Sequence, residues 1–180
     1  LAGVSIIEAA NRYGKKVVLF MPSSKKVSLH QAVCIERGAK PIFRRIAAMP
    51  VLNKYAKEWA DDNNATFIPL GLKHELVTAC AVRVVDNLRK THGTPGNVWF
   101  AISTGVLGRA LQIGWNQATH HAVAVSRNLK EGELGSASVT SDPKSFTSSE
   151  AKDKLPPFPT VANYDGKVWK YIPKDQPEKN

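Results

Sequence analysis

Short apolar runs alternate along this chain with longer stretches in which apolar residues recur every three or four positions. Val17-Val18-Leu19-Phe20, closed by Pro22, reads as a buried strand. Ser23 and Ser24 then offer an N-cap to a helix over 25–37, with Gly38 just past its end. Lys40 to Ile46 reads as a second strand. Pro50 suits a helix start, and Val51, Leu52, Tyr55, Ala56, Trp59 and Ala60 follow on one face, with charged residues opposite. Thr66 to Pro69 reads as a third strand. Lys73 to Lys90 predicts the strongest helix, with Val77, Ala81, Val84, Val85 and Leu88 on one face. After a loop over 91–96, Val98 to Ile102 is a fourth strand, Gly105 to Ala118 a helix and Ala122 to Val125 a fifth strand.

This alternation predicts an α/β domain over 1–126, a three-layer αβα arrangement with a mainly parallel sheet of about five strands. Parallel strands buried on both faces read as continuous apolar runs, as these do. In such sheets ligands bind at the carboxyl ends of the strands. After Ser126 the texture becomes polar and aperiodic, so 127–154 reads as a long surface loop or mobile lid, with a plain linker as the alternative. Residues 155–180 read as an extended C-terminal segment packing back on the domain. Within it, Tyr164 to Lys167 suggests a turn and Val168 to Ile172 a last strand.

The composition fits a globular protein: 180 residues, 43% hydrophobic and 22% charged. No apolar run reaches the ~18 residues of a membrane helix. The best candidate, Val98 to Trp115, is broken by three glycines and Arg109. Two cysteines exclude a disulfide scaffold, and the cytoplasm is the default compartment. Cys34 and Cys80 fall among apolar helical residues and are expected to be buried and inert. No pair of the five histidines has zinc-ligand spacing with a third ligand nearby, so no metal site is expected. Leu1 stands where an initiator methionine would, which reads as an internal start. The net charge is +10. Residues 127–180 hold nine Lys or Arg against eight Asp or Glu, so this charge sits almost wholly in 1–126. A basic body suits anionic partners, nucleic acid among them, although dispersed lysines equally describe a solvated surface.

The most informative stretch runs from Val98 to Arg109. A strand ends in Ser103, Thr104 and Gly105, and a helix begins with Val106, Leu107 and Gly108. Such a turn aims backbone N–H groups at one spot, the helix dipole adds positive potential, and glycine lets an anion approach. Neither the P-loop pattern nor G-x-G-x-x-G is present, and a plain capped turn is the alternative.

In element order and in several motifs the chain resembles the later part of the fold-type II pyridoxal-phosphate enzymes. That family includes tryptophan synthase β subunits, threonine dehydratases, cysteine synthases and aminocyclopropane-carboxylate deaminases. Ala2 to Ala10 followed by Lys16 to Pro22 looks like the helix and strand after the family's asparagine loop, and Arg37-Gly38-Ala39-Lys40 like its recurring Gly-Ala. Ser103 to Gly108 stands where the family places its phosphate loop. The resemblance implies pyridoxal phosphate as cofactor, its phosphate held by Ser103, Thr104, Gly105, Val106, Leu107 and Gly108, with Asn163 and Tyr164 as further cofactor or substrate contacts. It implies an amino-acid substrate, elimination or replacement at Cβ, and a homodimer or a separate N-terminal fragment. The family's cofactor-binding lysine would precede Leu1, and none of Lys15, Lys16, Lys25 or Lys26 has its context, so no catalytic residue is assigned. A non-catalytic relative that keeps an anion site, and a basic protein binding nucleic acid or another protein, are the alternatives.

Overall fold

In the first third of the chain, two short parallel strands are flanked by three helices. The computed structural model describes residues 2–23, 27–45, 49–125 and 129–174. It divides into two compact units, Leu1–Leu72 and Lys73–Asn180. In the first, α1 (Ala2–Arg12), β1 (Val18–Pro22), α2 (Leu29–Glu36), β2 (Lys40–Arg44) and α3 (Met49–Asp62) follow in order. β1 and β2 pair in parallel, Val18 opposite Lys40 and Pro22 opposite Arg44. Ile7, Met21, Cys34 and Ala39 form its core.

The start of α2 departs from expectation. Its N-cap is Ser28, which accepts from the Gln31 N–H at 3.3 Å while the Gln31 side chain accepts from the Ser28 N–H at 2.9 Å. This reciprocal box satisfies two amides the helix cannot. The Ser23 N–H instead donates to the Arg44 carbonyl at 2.6 Å, prolonging the strand pairing. Ser24, Lys25, Lys26 and Ile46 lie outside the described residues.

Thr66 to Pro69 form no strand. Pro69 has no N–H for a ladder, and a 3₁₀ turn over Leu70–Leu72 follows at once. Among the described residues there are nonetheless five strands, the fifth at Ser138–Ser141, and they divide between two parallel sheets.

In the second unit, α4 (Glu75–His92), β3 (Asn97–Ile102), α5 (Val106–Gly114), β4 (Thr119–Ala124) and β5 (Ser138–Ser141) follow in order. The sheet order is β3-β4-β5, all parallel, with Asn97 opposite Thr119 and His121 opposite Ser138. Successive residues of a strand face opposite sides, and both sides here are buried. Val98, Phe100, Ile102, Ala122 and Ala124 share a core with Val85 of α4 and Leu111 of α5. Ala101 and Val123, with Val125, pack instead against Val168 and, at their rim, Tyr164, Tyr171 and Ile172. Residues near the C-terminus thus cover the second face. Full burial of a side chain such as Val123 or Ile102 is worth about 1.5–3 kcal/mol.

α4 and α5 approach closely because Gly114 has no Cβ; one there would run into the Val85 side chain. This centres the α4 contact on Val85, and leaves Val84 and Leu88 exposed rather than inward. Cys80 is exposed as well, against expectation, while Cys34 is buried.

One further reading is corrected, and another gains detail. Within 127–154, read as a loop, the described residues include the short strand β5 and the buried carboxylates Glu133 and Glu150. Asp165–Tyr171 is a 3₁₀ helix, not a strand, and Gly166, Lys167 and Val168 are buried in succession, a pattern that alternating strand faces forbid.

Candidate functional site

At the carboxyl end of β3 the chain turns through Ser103, Thr104 and Gly105 into α5. Gly105 adopts the left-handed conformation (φ 79°) that serves as the helix N-cap. The first N–H that α5 satisfies internally is that of Arg109, donated to the Gly105 carbonyl at 2.8 Å. The amides of Val106, Leu107 and Gly108 have no acceptor within the helix, and they carry the positive end of its dipole.

Of these three residues Val106 borders an open cleft of about 300 Å³. One wall is Thr104, Gly105, Val106 and Arg109. Another is the start of α4, where His74 caps the helix by accepting the Leu76 N–H on Nδ1 at 3.1 Å, flanked by Lys73 and Glu75. The third is the Glu131-Gly132-Glu133 turn that follows β4.

The cleft is charged on both sides. Glu133 is buried at 4% exposure, and its carboxylate accepts from the Lys130 N–H at 2.7 Å and from Lys73 Nζ at 3.5 Å. The Arg109 guanidinium donates to the Gly132 carbonyl, tying the third wall to α5. One residue turn further along α5, Gln112 reinforces the tie. Its Nε2 donates to the Leu134 carbonyl at 2.9 Å, and its Oε1 accepts from the Ser136 N–H at 2.7 Å.

Of the six loop residues expected to hold an anion, Thr104, Gly105 and Val106 line the cleft. Ser103 does not line it. Burial pushes the Tyr164 hydroxyl above its ordinary range, against an opposing effect of Ser103. Leu107 is exposed. Gly108 is buried against β3, where an added Cβ would meet the Phe100 ring at 2.6 Å. Asn163 is not at the cleft and donates from Nδ2 to the Phe146 carbonyl at 3.2 Å.

Lys73, Arg109 and Glu133 are cleft residues that reading the sequence misses. Arg109 shows there only as an interruption of an apolar run. Lys73 and Glu133 lie 60 positions apart, and nothing local in either segment marks them as neighbours. Among the described residues no group of three His, Cys, Asp or Glu is placed to hold a metal ion, and no helix is long and apolar enough to cross a membrane.

No protein-family model matches this sequence, and no curated protein matches it. Solved structures do. An ACC deaminase homologue aligns over 91% of this chain and 62% of its own, with a TM-score of 0.70 at 13% identity. Cysteine synthase from Entamoeba histolytica aligns over 68% of this chain and 38% of its own, with a TM-score of 0.55 at 18% identity. A hydrogen sulfide-producing enzyme from Fusobacterium nucleatum aligns over 78% and 58%, with a TM-score of 0.54 at 13% identity. The chain thus spans less than two thirds of each of these enzymes and shares their α/β fold. ACC deaminases and cysteine synthases are among the enzymes the sequence itself resembles.

Proposed function

We propose that the head of α5 binds the phosphate of pyridoxal phosphate, and that this chain is part of a pyridoxal-phosphate-dependent lyase or transferase acting on an amino acid. The observation that carries the reading is the coincidence of three things at one cleft. They are the helix start at Gly105 and Val106, the residue Thr104, and the cations Lys73 and Arg109. A helix N-terminus is suited to a phosphate dianion by both its donors and its dipole.

The donor set fits the phosphate end of the cofactor. Glu133 is the one buried carboxylate in the cleft wall, and its bonds to Lys73 and the Lys130 N–H hold its charge in place beside the turn. The cofactor, when bound, supplies an electron sink that lets bonds at and next to the amino acid's Cα break. The chain's own part is placement. The α5 amides fix the phosphate, Gly105 lets the backbone turn beneath it, and Arg109 holds the Glu131–Glu133 wall at a set distance through Gly132.

A non-catalytic anion-binding relative is the second reading. It is favoured by one fact: the lysine lining the cleft, Lys73, is already paired with Glu133.

Titration with inorganic phosphate and with pyridoxal phosphate, followed by phosphorus NMR, tests the site. Both are expected to bind, to compete, and to be weakened by Thr104→Val. Failure of either to bind at millimolar concentration removes the cofactor reading. Phosphate binding without pyridoxal phosphate binding leaves the second.

A further inference from the structure

Among the described residues, Lys167 is the largest side chain that is fully buried. Its ammonium group meets the turn that follows β5. Nζ donates to the Ser145 carbonyl at 2.8 Å and to the Lys144 carbonyl at 3.4 Å. A buried ammonium ordinarily takes a carboxylate as partner. The carboxylates of this turn are engaged elsewhere. Lys170 Nζ is 2.6 Å from Asp142 Oδ2 and 2.6 Å from Glu150 Oε1, and Lys144 Nζ is 2.8 Å from Glu150 Oε2. The Tyr171 phenol also donates to Asp142 Oδ2, at 3.1 Å. Among the described residues no carboxylate is ion-paired with Lys167.

The turn presents main-chain oxygens to cations and donors. The Phe146 carbonyl accepts from Asn163 Nδ2 at 3.2 Å, and the Ser149 carbonyl from Lys144 Nζ at 3.4 Å. The carbonyls of 144, 145, 146 and 149 thus all accept from side-chain nitrogens. Two carboxylates removed from water, Asp142 and Glu150, add negative potential from the same stretch of chain. Clustered carbonyl oxygens are the chemistry that replaces the hydration shell of a potassium ion. An ammonium group has the same charge and a closely similar size. Packing alone gives no reason for a lysine here, because an apolar side chain would fill the space without the desolvation cost.

We infer that the turn over 144–149 is a monovalent-cation site filled by the chain's own Lys167 ammonium. The tethered cation closes the turn and ties it to the 3₁₀ helix Asp165–Tyr171. The next residue, Val168, packs with Ala101 and Val123 on the second face of the sheet. At the other end of the turn the Asp142 N–H donates to the Ala124 carbonyl at 3.0 Å, at the end of β4. The protein therefore needs no added cation at this place, and deleting the ammonium opens the site to one. This holds whatever binds at the head of α5.

Lys167→Met tests it, since methionine keeps most of the apolar stem and removes the charge. Thermal melts of the full chain are compared in potassium, ammonium and choline chloride at equal ionic strength. In choline chloride the variant should melt about 10 °C below the parent. Potassium or ammonium at about 0.1 M should return about 4 °C of that loss, saturably, as for a ligand at about ten times its Kd. The parent, its site already full, should melt alike in all three salts. A variant as stable as the parent in every salt overturns the inference, because the stem alone then suffices. So does a destabilised variant that responds alike to the three salts, and so does a potassium-specific shift of equal size in the parent. Should Lys167→Met not fold in choline chloride, refolding yield in the three salts becomes the readout. Recovery in potassium or ammonium alone upholds the site, and recovery in none of them overturns it.

Discussion

The backbone carbonyl of Glu133 occupies the space into which a Cβ on Gly105 would project. The turn at the head of α5 and the wall that faces it are therefore in direct main-chain contact, and the backbone at Gly105 is also left-handed. Gly105→Ala should lower stability by about 2 kcal/mol or more, because it adds both a strained φ and an overlap that neither main chain can relieve. Urea unfolding should show the midpoint fall with an unchanged slope. A variant as stable as the parent would mean the two segments are not in contact.

Gly108 makes a second close approach, to the Phe100 ring. Here the neighbour is a side chain, so the conflict can be relieved. Gly108→Ala should cost about 1–3 kcal/mol. Combining it with Phe100→Leu should give a double mutant more stable than the sum of the two single losses, by at least about 0.5 kcal/mol. Strict additivity would place Gly108 away from the sheet.

The Asp142–Glu150–Lys170 network sets the expected acid response. Burial pushes Asp142 up, but hydrogen bonds from Lys170, the Lys144 N–H and Tyr171 outweigh it and hold the carboxyl below its ordinary range. Glu150 is held low by Lys144 and Lys170. Burial pulls Lys170 down, but the two carboxylates more than reverse this and raise it above the usual lysine value. The carboxylates' contribution is thus whole above their unfolded values of about 4 and is lost as pH falls through the lowered folded values. The Lys170 contribution is whole below its unfolded value of about 10.4 and is lost only as pH rises past it. Thermal melts should be level through neutral pH and fall steeply below about pH 4, and Asp142→Asn should blunt that fall. A melting temperature unchanged in acid would contradict the network.

Arg109 ties α5 to Gly132 from an exposed position. Arg109→Met should therefore cost less than about 1 kcal/mol in global stability. It should nonetheless weaken phosphate binding several-fold, by loosening the Glu131–Glu133 wall and removing a cation. Calorimetric titration beside a thermal melt separates the two effects. Equal affinity in the variant would show that Arg109 serves only as packing.

Much of the fold is legible in the sequence because apolar periodicity reports burial. Val17 to Phe20, Val98 to Ile102 and the helix ending near Lys90 were all visible in this way. Thr66 to Pro69 misleads because an apolar run says nothing about whether a partner strand is within reach. β5 hides for the opposite reason: Ser138-Val139-Thr140-Ser141 is exposed throughout and is held by main-chain bonds to β4 rather than by apolar burial. The anion turn could be found because strand, hydroxyl residues, glycine and helix are consecutive. Lys73 and Glu133 could not, because their pairing depends on a contact made across the fold.

The passage from β4 to β5 has its own consequence. Parallel neighbours need a crossover, commonly helical, and the described part of this one, 129–137, contains no helix. It is held to α5 by three hydrogen bonds with the Gln112 side chain and one from Arg109, and closed on itself by the Glu133 carboxylate at the Lys130 N–H. Away from Glu133, such a tether can accept substitutions while the strands on either side keep their register. Evolution could thus rewrite the ligand preference of the neighbouring hollow within these few positions, leaving the scaffold beneath untouched.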